Sequence, residues 1–386
     1  MPTVLDHREI LDAAGYATGH FNVLDSAFGA RLERLVGWLK AHGGLAPQEI
    51  VAARRQLLQI VISRIALAAD RARIPAIARE RIERPIVVIG YSRTGTTLLQ
   101  SLLAEDEANR APMWWQSHQP SPPPGERPVT PARLDLARRE LQRFLEAAPG
   151  MLTMHPYWDK YNEALIEDEQ IHTLALYNTY PTLLFQVPAF PVMGGSEDPA
   201  GAYRFQTEFL QHHQWNQPRR RWVVKGCFHQ FYLKRLFEAY PDALCIWPHR
   251  DPLDLHASTL AIMAVLYGSL TNGKLDWRQI AAGYLEGVRQ ATETVLADPL
   301  VDDPRIVHLR FADVAKDPIA AIRSIYRQAG FEYTERFEAR MRAWLESPAN
   351  RPDRYGRYPY SLEPFGLAAA AVRAAFASYS KRFGVD

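Results

Sequence analysis

The sequence predicts an α/β protein, a P-loop-like parallel sheet flanked by helices, with a helical extension ahead of it. Three observations carry this. Residues 5–80 place apolar side chains at three- and four-residue intervals, the period of helices that bury one face. From Pro85 to about residue 331, short β-branched runs alternate with longer helical patterns, as a parallel sheet with right-handed crossovers requires. The first of those runs turns into a helix through Gly90-x-x-x-x-Gly95-x-Thr97, the spacing of a phosphate-binding loop. The expected division is a helical N-terminal layer over residues 1–82 and an α/β domain over 83–386.

Taken in order, "HREILDAAGYA", "FGARLERLVGWLKAHG" and "PQEIVAARRQLLQIVISRIALAADRARIP" supply the helical layer. Gly43 and Gly44 separate the second from the third, and Pro47 suits a first helical turn. "IVVIG", from Ile86, reads as a buried parallel strand and leads into a helix over Thr96–Ala104. Residues 118–131, "HQPSPPPGERPVTP", hold too much proline for helix or central strand and form an extended loop before the helix "PARLDLARRELQRFLEAAPG". "RWVVKG" (221–226) is a second strand, followed by the helix "FHQFYLKRLFEAYP". "ALCIWPHR" (243–250) is a third, followed by "PLDLHASTLAIMAVLYG". "RIVHLRFADVAKDPIAAIRSIYRQAGF" gives a fourth strand and its helix, and "AAAAVRAAFASYSKRFG" reads as one amphipathic helix against the sheet.

Composition narrows the function classes. The 386 residues are 47% hydrophobic and 23% charged with a net charge of +2, the balance of an ordinary globular protein. No basic tail or Lys/Arg run supports nucleic-acid binding. Cys227 and Cys245 belong to no CxxC pair, so both read as reduced thiols near a core. The N-terminus lacks a signal-peptide pattern and no apolar run approaches ~18 residues. A cytoplasmic enzyme is therefore expected; oligomeric state is left open.

The loop itself offers the backbone N–H groups of about residues 92–97, the hydroxyls of Ser92, Thr94, Thr96 and Thr97, and the guanidinium of Arg93, with the flexible Gly95 among them. Thr96 stands where a nucleotide-hydrolysing P-loop carries lysine. The nearest approach to a metal-binding strand end is "ALCIWPHRD", where His249 and Arg250 precede Asp251 and would repel magnesium. The expected ligand is a phosphate held by basic side chains, with no metal required.

"IVVIGYSRTGTTLL" resembles the 5′-phosphosulfate loop of sulfotransferases that use 3′-phosphoadenosine 5′-phosphosulfate (PAPS), in the bacterial branch that reads G-x-x-R-T/S-G-T-T. "WVVKGCFHQFYLKRLFEAYPDALCIWPHRDPLDLHAST" and "RYPYSLEPFGL" resemble further segments of that branch, so the likeness runs from about Pro85 to the end. One departure is Lys225-Gly226-Cys227, where the family has Lys-Ser-Pro. The resemblance implies PAPS as co-substrate and adenosine 3′,5′-bisphosphate (PAP) as product. It implies that Arg250 and Ser258 hold the 3′-phosphate, with Arg354 and Arg357 on a late loop as further candidates. The structural alternatives are an ion pair of Arg250 with Asp251 or Asp254, and a solvated basic loop for the other two.

Sulfuryl transfer is an in-line displacement that needs positive charge at the leaving oxygen and a base for the acceptor proton. Arg93 and Lys225 are the candidates for charge. For the base, "IEDE" resembles the family's acidic stretch and offers Glu167 or Asp168, with His155 close behind and His118 and His229 as further candidates. Adjacent acids on a helix point in different directions, so one or two at most face a site. Trp114, Trp115, Tyr157, Trp158, Tyr177 and Tyr180 suggest an aromatic pocket for a hydroxyl or amine of a moderately hydrophobic lipid, polyketide or phenolic acceptor. Two other classes are a P-loop kinase or NTPase, which needs a lysine at 96 and a metal-binding aspartate, and a nucleotide-binding relative without chemistry.

Overall fold

Five parallel strands lie in the order β2-β3-β1-β4-β5 at the centre of the chain, in a computed structural model that describes residues 5–42, 46–177, 198–271 and 275–385. Gly43, Gly44 and Tyr180 lie outside the described residues. The helical layer is α1 (His7–Thr18), α2 (Ser26–His42) and α3 (Pro47–Arg73). Asp6 caps α1 by accepting from the N–H groups of Arg8 and Glu9, and α3 begins at Pro47. Then follow β1 (Ile86–Val88), α4 (Thr96–Leu103), β2 (Asn109–Arg110), α5 (Trp114–His118), α6 (Pro131–Ala147), α7 (Met151–Met154), α8 (Asp168–Thr173) and α9 (Ala200–Gln214). β3 (Arg221–Lys225), α10 (Leu233–Ala239), β4 (Leu244–His249), α11 (Pro252–Thr271), α12 (Trp277–Leu296) and β5 (Ile306–Arg310) complete the sheet region. The chain ends with α13 (Phe311–Lys316), α14 (Pro318–Ala329), α15 (Glu335–Glu346), α16 (Ala369–Ala375) and α17 (Ala377–Phe383).

β1 and the middle of β3 and β4 are apolar on both sides because both faces are covered there. Alternate side chains feed two cores. Val87, Ile89, Val224, Cys245 and Trp247 join the helical layer in one apolar cluster, with Leu32, Leu57 and Val61 among its members. Ile86, Val88, Val223, Leu244 and Ile246 face the other way, onto Leu99 and Leu102 of α4 and Ile322 and Ile325 of α14. The helical layer therefore shares its core with one face of the sheet.

Register places the candidate loop centrally. Val88 pairs with Lys225 on one side and Ile246 on the other, so the carboxyl ends of β3, β1 and β4 stand side by side. The connection after β1 runs to one edge and that after β3 crosses to the other, which puts a topological switch point at this end.

Two expectations need correction, and one strand was not anticipated. β2 is a two-residue edge strand, paired to Arg221 and Trp222, too short to carry a period in the sequence. The helix expected over "FHQFYLKRLFEAYP" is a 3₁₀ turn at His229–Phe231 followed by α10, because His229 is held by tertiary hydrogen bonds. The single C-terminal helix is two, broken at Phe376, where backbone angles of φ −115° and ψ 16° let Val372, Phe376 and Tyr379 all bury against Tyr91 and Leu255.

Candidate active site

The loop after β1 is shaped by three residues with positive φ: Gly90 (+112°), Arg93 (+68°) and Gly95 (+87°). A side chain at Gly90 would collide with the Trp247 indole, 2.7 Å from the Cβ position, and one at Gly95 with the Phe311 ring at 2.6 Å. Glycine is therefore required by space as well as by conformation. Arg93 tolerates the left-handed region because its side chain is held three ways: Nε donates to Ser258 Oγ (2.8 Å), Nη1 to the Met154 carbonyl (2.9 Å) and Nη2 to the Tyr360 hydroxyl (2.9 Å). Ser92 meets Thr259 at 3.2 Å, and Thr94, fully buried, donates to the Tyr91 carbonyl. Thr94 thus acts inside the loop. Among the described residues the N–H groups of 91–95 donate to no backbone carbonyl, so a set of donors remains at the N-terminus of α4, where the helix dipole favours an anion.

Lys225, buried at the end of β3, reaches this loop: Nζ donates to Thr97 Oγ1 at 3.0 Å and to Glu167 Oε1 at 2.5 Å. Burial opposes the charge on Glu167, but the Lys225 ammonium and His155 outweigh it, and its carboxyl titrates below the usual range. His155 stacks on Trp158 (5.4 Å between ring centroids). Burial first, then the Arg93 charge, press its imidazole down to about 3.

The three acids diverge as helix geometry demands. Glu167 turns to Lys225. Asp168 turns inward, fully buried, to within 2.7 Å of His229 Nε2, whose Nδ1 meets the Tyr203 hydroxyl at 2.8 Å. Burial pushes the Asp168 carboxyl well up and the His229 imidazole down to about 3, so the neutral pair is favoured over the ion pair. The expectation of Asp168 or His229 as base is corrected here, since neither faces the loop. Glu169 accepts from the Cys227 N–H at 2.8 Å; burial and the neighbouring Glu167 raise it to about 8. Glu167, Glu169 and Cys227 bring possible ligand atoms within 4.8 Å of one another, yet the Lys225 ammonium already occupies Glu167.

The second anion group is also present. Arg250 follows β4; Nη1 donates to the Arg93 carbonyl (2.9 Å), Nη2 pairs with Asp254 (3.0 Å), and the guanidinium lies over Phe311. Among the described residues its Nε is buried without an acceptor. Ser258 is fully buried in α11 and accepts from Arg93 Nε. So the ion pair anticipated as Arg250's structural role exists, with one donor left over. Arg354 is paired with Asp159 (2.6 Å) and lies by Pro156, while Arg357 is exposed and 3.4 Å from Asp353. His118 stacks on Trp114 at 4.0 Å, lines a separate cavity between α3 and α6, and is pressed by burial to about 4. Neither Arg357 nor His118 is brought to the loop.

Beside Lys225, Thr97 and His155 opens a cavity of about 650 Å³ whose aromatic lining is Trp115, Tyr157, Trp158 and Trp344. Of the aromatics expected there, Trp114 lines the other cavity and Tyr177 is buried under Arg31. Sequence reasoning passed over Tyr360, Gln230, which accepts from the Gly90 N–H at 3.1 Å, and Phe311. Tyr360 and Gln230 lay in segments quoted for their resemblance, and no local pattern marks Phe311.

Residues 85–335 match the model of a family described as the sulfotransferase family. The omega-hydroxy-beta-dihydromenaquinone-9 sulfotransferase Stf3 of Mycobacterium bovis and of Mycobacterium tuberculosis is 26% identical over 281 residues, 69% of this chain and 68% of that protein. Sulfotransferase STF9 from Mycobacterium avium has a similar structure, with TM-score 0.86 and 25% identity over 100% of this chain and 98% of that one. STF1 from Mycobacterium tuberculosis H37Rv shares the fold, with TM-score 0.80 and 23% identity over 98% and 100%. No helix among the described residues is long and apolar enough to cross a membrane.

Proposed function

The chain belongs to the sulfotransferase family and is a sulfuryl-transferring enzyme; on that premise we propose that its donor is PAPS and that transfer occurs beside Lys225. One observation carries the reading: Lys225 Nζ joins Thr97 of the phosphate loop to Glu167, so a cation, an anion cradle and an ionised carboxylate meet at the carboxyl ends of β1 and β3. The donor supplies an activated sulfonate on a phosphate leaving group. Ser92, Thr96, Thr97 and the loop N–H groups hold its 5′ end, and Arg250 and Ser258, with a free Nε and a hydroxyl, hold its 3′-phosphate. Arg354, on the segment that carries Tyr360, stands near the loop through Pro156 and contributes charge at its rim.

Lys225 and Arg93 set positive charge where charge develops on the leaving oxygen, which is the service a metal ion gives in phosphoryl transfer. Glu167, ionised and oriented by Lys225, takes the acceptor's proton. His155 is the second reading for that role, because it lines the acceptor cavity. The aromatic wall of that cavity supports a hydroxyl on a moderately hydrophobic small molecule, a description that the lipid acceptor named for the mycobacterial relative also fits.

The test is calorimetric titration of PAP and of ATP with magnesium or with chelator, followed by turnover of Glu167→Gln and His155→Ala. Metal-independent PAP binding is expected, with far weaker ATP binding. Glu167→Gln should lower turnover by ~10²–10⁴-fold while PAP affinity stays within a few-fold. Tight magnesium-dependent ATP binding would overturn the donor, and a full loss confined to His155→Ala would move the base.

A further inference from the structure

The acceptor cavity holds more positive charge than its carboxylates balance, and the excess lies at one end. Among its lining residues, Glu105 is paired with Arg340 at 3.1 Å, and Glu163, with Asp159 and Glu105, favours the charge on Lys160. Lys225 is paired with Glu167. In the adjoining cavity of about 610 Å³, Glu107 is taken by Arg336 at 2.7 Å and Asp106 by Arg221 at 3.6 Å. Arg110 and Arg220 are left. Neither has a carboxylate within ion-pair distance among the described residues. Arg110 donates through Nη2 to the Pro218 carbonyl and lies over the Trp222 ring, but its Nε is buried without an acceptor. Burial, then repulsion from Arg220, lowers its guanidinium to about 10. Two like charges, one half-buried and one exposed, thus face one cavity; Glu80 acts on Arg110 and Glu83 and Glu332 line the adjoining cavity, but among the described residues none is within ion-pair distance of either arginine. An anion resolves that arrangement; a neutral ligand does not.

Strand geometry sets the distance. Arg110 pairs with Trp222, three residues before Lys225, and Arg220 precedes Lys225 by five. At ~3.3 Å per residue these positions lie roughly 10 and 16 Å from the transfer centre. The space between is lined by Trp115, Met113 and Leu165.

We propose that Arg110 and Arg220 form a distal anion subsite, and that the acceptor is an amphipathic molecule with a hydroxyl at one end and a carboxylate or phosphate at the other. The subsite deepens the reading of the cavity as the acceptor site and rests on it. It selects the acceptor and sets its direction: the anion anchors at the sheet edge, the apolar body lies along β2, and the hydroxyl arrives at Lys225.

The probes are ω-hydroxy fatty acids of increasing length, the corresponding ω-hydroxyalkyl phosphates and the neutral methyl esters of the acids. Each is titrated into the protein saturated with PAP, and each is assayed for sulfated product with PAPS. The acid or the phosphate should bind at least about tenfold tighter than the ester, the margin of one charge-assisted contact. The better of the two identifies the anion. That preference should shrink to a few-fold in Arg220→Met, an exposed position, and in Arg110→Gln, and should fall with added salt. Because the readout is a ratio within one variant, loss of stability does not mimic it. Equal affinity for ester and anions, or a preference that both substitutions leave intact, overturns the subsite. Sulfation of the ester as fast as the anions does the same while leaving sulfuryl transfer standing. Anion-selective binding with the expected loss in both variants, but no sulfated product, upholds the subsite and overturns the transfer reading instead.

Discussion

At the scale of single residues, charge placement decides the site. Arg93 joins the loop to α11 through Ser258, to α7 through Met154 and to the late loop through Tyr360, a fork that one ammonium cannot reproduce. Among the described residues Arg250 has Nε unused and Ser258 bonds to Arg93, so an incoming phosphate finds donors already assembled. Removing one charge-assisted contact costs roughly 1.5–3 kcal/mol. Arg93→Ala and Arg250→Ala should each weaken PAP binding by ~10–150-fold in a calorimetric titration, and Ser258→Ala by less, since a neutral hydroxyl donates the weaker bond. Unchanged affinity in both arginine variants would place the nucleotide elsewhere. These residues were legible only through the motif and its resemblance. Arg93 and Ser258 are 165 positions apart, and no periodicity brings them together.

At the scale of elements, the turn into α8 explains the departure at Gly226. Asp168 holds His229, and His229 lies so close to the end of β3 that a Cβ at Gly226 would stand 2.7 Å from its Nε2. A serine there, as in the family pattern, would have to displace the ring. Displacement would loosen the Asp168 bond and with it the turn that presents Glu167 to Lys225 and Glu169 to the Cys227 N–H. Gly226→Ser should therefore destabilise the fold by about 1–3 kcal/mol, the cost of overpacking, and lower turnover more than PAP affinity. Denaturant titration and steady-state kinetics read both effects, and a variant as stable and active as the parent would sink the account. Strands β1, β3, β4 and β5 were legible because they are short β-branched or apolar runs between glycine, proline and charge. β2 was not, since two residues carry no pattern. The break at Phe376 was hidden because both halves of that segment keep helical periodicity and only tertiary burial separates them.

At the scale of the whole molecule, two cores back to back on one sheet bury titratable groups that must stay neutral. Eight described histidines outside the Asp168 pair are pushed down chiefly by burial: His118 and His212 to about 4, His155 and His172 to about 3, His249 to about 2, His213 well below the ordinary value, and His256 and His308 also below it. Their folded pKa values lie below the ordinary 6.5. The unfolded chain therefore binds the extra protons, and stability is lost as pH falls below ~6.5. Asp168 and Glu169 act with the opposite sign. Their folded values lie above the ordinary carboxyl range, Glu169 at about 8, so their contribution is lost as pH rises toward 8. Each group adds a slope of up to about 1.4 kcal/mol per pH unit. Eight imidazoles outweigh two carboxyls on the acid side, and the carboxyls act alone above ~6.5. Thermal midpoints should accordingly peak near pH 6.5, fall steeply toward pH 5 and fall more gently toward pH 8, with Glu169→Gln flattening the alkaline side. Midpoints that hold level or climb from pH 6.5 to 5 would mean that these imidazoles are not held neutral by burial, and the packing assigned to both faces of the sheet would have to be redrawn.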